Sequence, residues 1–379
     1  MSEPVELGEP GAVGELGELG ERLAAATLAL VDIPSVSRDE AAIVEHVRSY
    51  TTEIARDAFV KVDDEDSCLV WLPKVRRPGT PLVLFAGHLD TVPIAANVPG
   101  RRTAQVLHGR GTADQKAGVA VMLELMGSLA AGRLVSDLDA GFLFFGREEI
   151  DESALTPCLR RVPALTEASL AIVTEPTDNT LEIGCLGNLN ARVSVDGVAA
   201  HSARPWLGDN AIHAGITALA SIADLPVRDV EIDGLTYREV VNVTTIEGGV
   251  AANVIPDRLV ATVNFRYAPN HTPEEAERRI RELLGHRRAS LQILSNAGPG
   301  PVTASNPLVQ RLRAAGDLEA RPKQAWTPVA EFAAEGIDAV NCGPGDPAFA
   351  HKDDEQVRIA ALERSFEVLR GFLAGEAQA

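Results

Sequence analysis

No apolar run in this 379-residue chain reaches the roughly 20 residues that a membrane-spanning helix needs. Basic residues are also short: Lys and Arg total 35 against 54 Asp and Glu, a formal net charge of −19, and they nowhere cluster. Without a basic patch to displace phosphate counterions, nucleic acid is excluded as a partner, and an anionic membrane surface with it. An anionic ligand would have to be held by local arginines or a metal, because the overall field opposes it. Cysteine is scarce as well. Cys68, Cys158, Cys185 and Cys342 lie far apart in sequence with no CxxC spacing, and read as free thiols of a reducing compartment. The N-terminal stretch lacks the basic segment of a signal peptide, so the expected location is cytoplasmic.

What is present fits a globular protein of about two domains, with 45% hydrophobic and 23% charged residues. Residues 1–17 are rich in Gly and Glu and are expected to fray. Helical patterns follow at residues 23–30 and 39–50, the first stopped before Pro34. Short apolar runs at 82–86, 140–145 and 170–173 are typical of buried parallel strands, and a helical stretch at 119–129 lies between the first two. That alternation predicts an α/β domain with a mostly parallel sheet. Near Asn188 the pattern changes to half-exposed strands at about 191–197, 237–247 and 258–267, with helices at 210–223 and 273–284. This order fits a small α+β unit, one antiparallel sheet covered on one face by helices. The chain then returns to helix and Gly/Pro loops, with a last helix expected over 356–373. The expected organisation is therefore a discontinuous catalytic domain, residues 1–187 and 296–379, with an inserted domain at 188–295. No internal repeat is visible.

The ends of the predicted strands carry the chemistry. Residues 82–86 run into Gly87-His88-Leu89-Asp90, and ligands of open α/β sheets gather at the carboxyl ends of strands. Asp90 could hold the second ring nitrogen of His88, although an HxD pair alone is an ordinary surface feature. Asp114 sits in the glycine-rich turn GRGTADQKAG, where it could be a metal carboxylate or simply a helix cap. That turn lacks the GxxxxGK[ST] phosphate-loop pattern. The second strand ends in Glu148-Glu149, two carboxylates that cannot both be cheaply desolvated unless one binds metal and the other carries a proton. The third ends in Glu175, and His351 follows a Gly/Pro loop. Nitrogen and oxygen donors without thiolates suit zinc or a similar divalent ion. Five donors rich in carboxylate exceed one tetrahedral site, whereas two ions about 3.5–4 Å apart that share one carboxylate would use them all.

Taken in order, GHLDTVP, GRGTADQKAG, REE, TEP, AHSARPWLGDNAIH, EGGVAANVIPDRLVATVNFR and AHKDDE resemble the M20 family of di-zinc peptidases and deacylases. The resemblance covers nearly the whole chain after about residue 25. It implies two Zn2+ ions, with Co2+ or Mn2+ as alternatives, one held by His88 and Glu175, the other by Glu149 and His351, with Asp114 bridging. It makes Asp90 the residue that orients His88, and Glu148 the general base. It gives the inserted domain a homodimerising and lid role, with His201 reaching across to stabilise an oxyanion. Asn253 and Arg266 match positions that contact substrate, and Arg204 and Thr327 are weaker candidates of the same kind. The implied reaction is hydrolysis of a small N-acyl amino acid, most simply N-succinyl-LL-diaminopimelate to LL-diaminopimelate and succinate.

One segment departs from the family pattern. Relatives carry an arginine just before the phenylalanine of a Thr-x-Asp-type motif, where this chain reads Thr327-Pro328-Val329-Ala330-Glu331-Phe332. Glu331 in place of an anion binder would repel a carboxylate, and Pro328 removes a backbone donor and restricts Thr327. A hydrolase of a different N-acyl amino acid, a dipeptidase or carboxypeptidase, and a non-catalytic binding protein on the same fold are the alternatives. Glu148 speaks against the last, since a binding module needs no general base.

Overall fold

The computed structural model describes residues 17–376 apart from 56, 66, 151 and 285–288. The glycine-rich start at residues 1–16, expected to fray, lies outside them. The strand Leu82–His88 is buried at every position, and its side chains alternate between two cores. Val83 and Phe85 join one apolar cluster, and Leu82, Leu84 and Ala86 join the other. A strand buried on both faces belongs inside a sheet covered by helices on each side. The first cluster also holds apolar residues of the helices Glu18–Val31, Ala41–Ala55, Lys116–Ala130, Pro307–Gly316 and Ile359–Ala374. The second is closed by the shorter helices Leu155–Arg161 and Val329–Ala334.

The sheet has eight strands in the order Phe59–Glu65, Cys68–Pro73, Asp139–Phe145, Leu82–His88, Ala168–Val173, Ala339–Asn341, Leu181–Cys185 and Ala320–Lys323. Four of its seven pairings are parallel, including the three at its centre. His88 is in register with Phe145, and Ala86 with Val173. The loops after these three strands therefore leave the sheet side by side along one edge.

A second, five-stranded antiparallel sheet is built from residues 187–297. Its order is Arg228–Ile232, Leu235–Gly248, Arg258–Tyr267, Gly187–Asp196 and Ala289–Ala297. Inward residues of these strands form a third apolar cluster with Ala211, Leu219 and Ile222 of the helix Ala211–Ala223 and with Ala276, Ile280 and Leu284 of Pro273–Leu284. The first of these helices is capped by the Asn210 side chain, which accepts from Ile212 and His213 amides.

One expectation needs correction. The last helix starts at Ile359, because Gln356–Arg358 is a strand paired with Val106–His108. The cysteines are free, as expected, and all four are buried; Cys68 and Cys158, distant in sequence, lie together beside Asp63, their ligand atoms within 4.8 Å of one another.

Candidate metal centre

Three loops at the sheet edge and two further turns converge on one point. His88 is the last residue of its strand, Glu148 and Glu149 follow Phe145, and Glu175 follows Val173 by two residues. Asp114 precedes the helix Lys116–Ala130. The N-cap position falls to Gln115, without a side-chain cap bond, so Asp114 is left to point at the histidines. His88 Nε2 is 3.2 Å from Asp114 Oδ1 and 3.7 Å from Glu175 Oε1. His351 Nε2 is 3.3 Å from Asp114 Oδ2 and 3.0 Å from Glu149 Oε2. Each trio offers one ligand atom per residue within 4.8 Å, and Asp114 belongs to both. The structure thus brings His88, Asp114, Glu149, Glu175 and His351 together, with one carboxylate common to two clusters.

Charge in this buried space is unbalanced. Burial, with Glu175 next, pushes the Glu148 carboxyl well above its usual range. Burial, with Asp114 next, raises Glu175 to about 7. Hydrogen bonding to Asp114 and Glu149 raises His351 to about 10. Burial would lower His88, but Asp114 and Asp90 outweigh it and hold the imidazole well above its ordinary value. Glu149 Oε1 is buried with no hydrogen-bond partner. Four carboxylates packed against two imidazoles, with one oxygen orphaned and no thiolate, form a donor set that divalent cations would neutralise. The residues fit an ion pair of that kind.

Supporting groups fix the donors. Glu355, 1% exposed, accepts from the Ala113 and Asp114 amides at 3.0 and 3.1 Å through Oε1, and pairs with Arg110 at 2.9 Å through Oε2. Gln115 donates to Glu175 Oε1 at 2.6 Å and accepts from the Thr174 hydroxyl. Close backbone packing does the rest. A Cβ at Gly118 would lie 2.4 Å from the Thr174 carbonyl, and one at Gly343 would lie 2.3 Å from the same oxygen. Gln115 and Glu355 escaped the reading of the sequence, although both lie inside the quoted motifs.

Asp90 meets His88 through its main chain. His88 Nδ1 is 3.0 Å from the Asp90 main-chain carbonyl, while the carboxylate is 3.6 Å away, too long for a hydrogen bond. That carboxylate instead accepts from the Glu148 and Glu149 amides at 3.0 and 3.1 Å and from the Ser37 hydroxyl at 2.7 Å. Asp90 therefore orients the acidic pair, and His88 through its backbone.

The donors open onto a cleft of about 930 Å³, also lined by Arg266, Thr327, Lys323, Trp326 and Glu331. Thr327 Oγ1 is buried there without a partner. The cation of Lys323 is engaged by Glu182 at 2.7 Å. Arg266 donates Nε to Asn264 Oδ1 at 3.2 Å. His201, Arg204 and Asn253 do not reach this cleft. They are exposed on and beside the two-stranded ribbon in which His201 pairs with Val254.

Comparison with known proteins follows the same division. Residues 72–188 match the family "Peptidase family M28", and residues 183–290 match the M20 "Peptidase dimerisation domain". A Mycobacterium tuberculosis protein provisionally named succinyl-diaminopimelate desuccinylase DapE is 40% identical over 351 residues, 92% of this chain and 97% of that protein. This chain belongs to the M20 family. A second M20-type relative, succinyl-diaminopimelate desuccinylase of Corynebacterium glutamicum, is 36% identical over 92% of this chain and 95% of its own length. Among solved structures, the M20 metallo-carboxypeptidase of Sulfolobus solfataricus shares the fold with a TM-score of 0.71 at 16% identity, covering 94% of this chain and 99% of that one. Aminopeptidase PepT of Bacillus cereus does so with a TM-score of 0.75 at 19% identity, over 93% and 98%. The M20 chain is thus a metallopeptidase or amidohydrolase, and its metal dependence matches the clustered His, Asp and Glu donors. Among the described residues, no helix is long and apolar enough to cross a membrane.

Proposed function

We propose that this protein is a di-zinc amide hydrolase that removes succinate from N-succinyl-LL-diaminopimelate. The observation that carries the reading is the pair of donor clusters sharing Asp114, with buried Glu148 on the wall of the same cleft. The 40% and 36% identities to proteins named as desuccinylases support the substrate. In this reading His88 and Glu175 hold one ion, Glu149 and His351 the other, and Asp114 both. Bound divalent ions would polarise the amide carbonyl and ease deprotonation of the attacking water. Glu148 takes that proton on its carboxylate and passes it to the leaving amine. Asp90 fixes Glu148 through the amide it accepts from. Arg266 and Thr327 receive the substrate's carboxylate and polar groups from the cleft wall.

His201 serves the cleft of a partner subunit, where Asn253 and Arg204 contact substrate, in a homodimer formed through residues 188–295, between catalytic segments 1–187 and 296–379. Their exposure, and their absence from the lining of their own chain's cleft, support that arrangement. One oxyanion donor of this type is worth about 2.7–4 kcal/mol of transition-state stabilisation. The reading carries with it a cytoplasmic location. Glu331 on the cleft wall favours a second reading, hydrolysis of another N-acyl amino acid or of a dipeptide.

The test is release of succinate from N-succinyl-LL-diaminopimelate by the purified, zinc-loaded protein, with a chelated control. Turnover that the chelator abolishes establishes the proposal. Zinc-loaded protein with no turnover refutes the substrate and turns attention to the second reading.

A further inference from the structure

Glu331 stands in the first turn of Val329–Ala334 and lines the same cleft as Glu148 and Arg266. Its Oε2 accepts from the Thr156 amide at 3.0 Å and from the Thr156 hydroxyl. Its Oε1 is shielded from solvent and has no hydrogen-bond partner. Among the described residues no cation offsets the charge: burial pushes the carboxyl up, opposed by hydrogen bonding from Thr156 and by the nearby Ser153 hydroxyl. A buried acceptor without a donor costs free energy that a ligand can recover. Elsewhere on the cleft wall, Arg266 makes no ion pair among the described residues, and its one hydrogen bond goes to Asn264. Lys323, the cleft's lysine, is already paired with Glu182. Among the described residues the cleft therefore presents a cation and an acid that each lack an oppositely charged partner. A ligand bearing only carboxylates would satisfy Arg266 and leave Glu331 facing like charge, whereas a carboxylate together with an ammonium would satisfy both.

We propose that Glu331 determines specificity by accepting a protonated amino group of the substrate. The enzyme then selects amides that carry a free ammonium as well as a carboxylate, a conclusion that rests on the amide-hydrolase reading above. Such a role turns the departure in the Thr327–Phe332 segment from a defect into a recognition device. N-succinyl-LL-diaminopimelate has such an ammonium, and N-succinyl derivatives of simple monoamino acids do not.

The test is calorimetric binding of LL-diaminopimelate and of pimelate, which has the two carboxylates but no amino group, to the zinc-loaded protein and to its Glu331→Gln variant. Charge-assisted hydrogen bonds are about twice as strong as neutral ones, and the wild type should prefer diaminopimelate by about tenfold. The isosteric Gln keeps an acceptor for Thr156 but not the charge, and should cut that preference to about threefold. Equal binding of the two ligands by the wild type, including failure of both to bind, overturns the proposal, and this comparison needs no variant. A preference that survives in Glu331→Gln overturns it too. Preference without hydrolysis of the succinyl compound sinks only the desuccinylase reading, and hydrolysis without preference sinks only this one.

Discussion

Removing the Glu355 side chain should loosen the metal centre without touching any donor. In Glu355→Ala the Ala113 and Asp114 amides lose their common acceptor, and Arg110 loses its ion pair. Arg110 is 3% exposed, so its charge would stay buried. Breaking a buried pair in this way costs roughly 3–5 kcal/mol. The lower end applies here, because Arg110 still donates to the Pro93 and Lys352 carbonyls at 3.1 Å each. Against a total stability of about 5–15 kcal/mol, a loss of about 3 kcal/mol is readily seen in urea unfolding. Because the freed amide belongs to Asp114 itself, zinc affinity should fall as well, by about 10–100-fold, the usual effect of losing a supporting contact to a ligand. Unfolding and zinc titration would be run on the same preparations. A stability loss below about 1 kcal/mol, with zinc affinity unchanged, would show that the Asp114 turn is held by something other than Glu355.

Three further outcomes are expected. Glu148→Ala should lower kcat by at least about 100-fold while the bound zinc, measured by atomic absorption, stays the same. Loss of zinc would mean that Glu148 and Glu149 exchange roles. His201→Ala should be nearly inactive alone, yet mixing and re-annealing it with Glu148→Ala should restore about a quarter of wild-type activity, the statistical share of intact sites in a random mixture of dimers. Absence of recovery, in a mixture shown to contain heterodimers, would place His201 outside any shared site. Gly118→Ala should drive a methyl group against the Thr174 carbonyl, displace Glu175, and cost about 1–3 kcal/mol together with zinc from the His88 side. Unaltered zinc content and melting temperature would show that the contact relaxes freely.

The central strands and the donors at their ends were legible because a strand buried on both faces is an unbroken apolar run, and residues 82–86, 140–145 and 170–173 are such runs. The flanking strands were not. Phe59–Glu65 reads FVKVDDE, too charged to register as an apolar run, and Ala320–Lys323 contains a proline that suits only an edge. Ala339–Asn341 is three residues long, too short for any period to register. At the centre, residue type told which atoms could bind metal but not what held them. The clamp from Glu355 to the Asp114 turn spans 241 residues, and a carboxylate's choice between a ring nitrogen and two backbone amides depends on ångström differences. The Cys68–Cys158 contact joins two segments 90 residues apart and leaves no local signature.

The two halves of the donor cluster differ in how deeply they sit. The His88 side chain is 1% exposed, and the His351 side chain is 53% exposed on a loop at the mouth of the cleft. For a pair of ions this makes departure sequential. An ion held by His351 would be shed through a swing of that loop, whereas release from His88 would require the ends of the central strands to open. Scarcity of metal would then leave a population of half-loaded molecules, folded and slow to empty further, and recovery on resupply would be governed by refilling of the outer position alone.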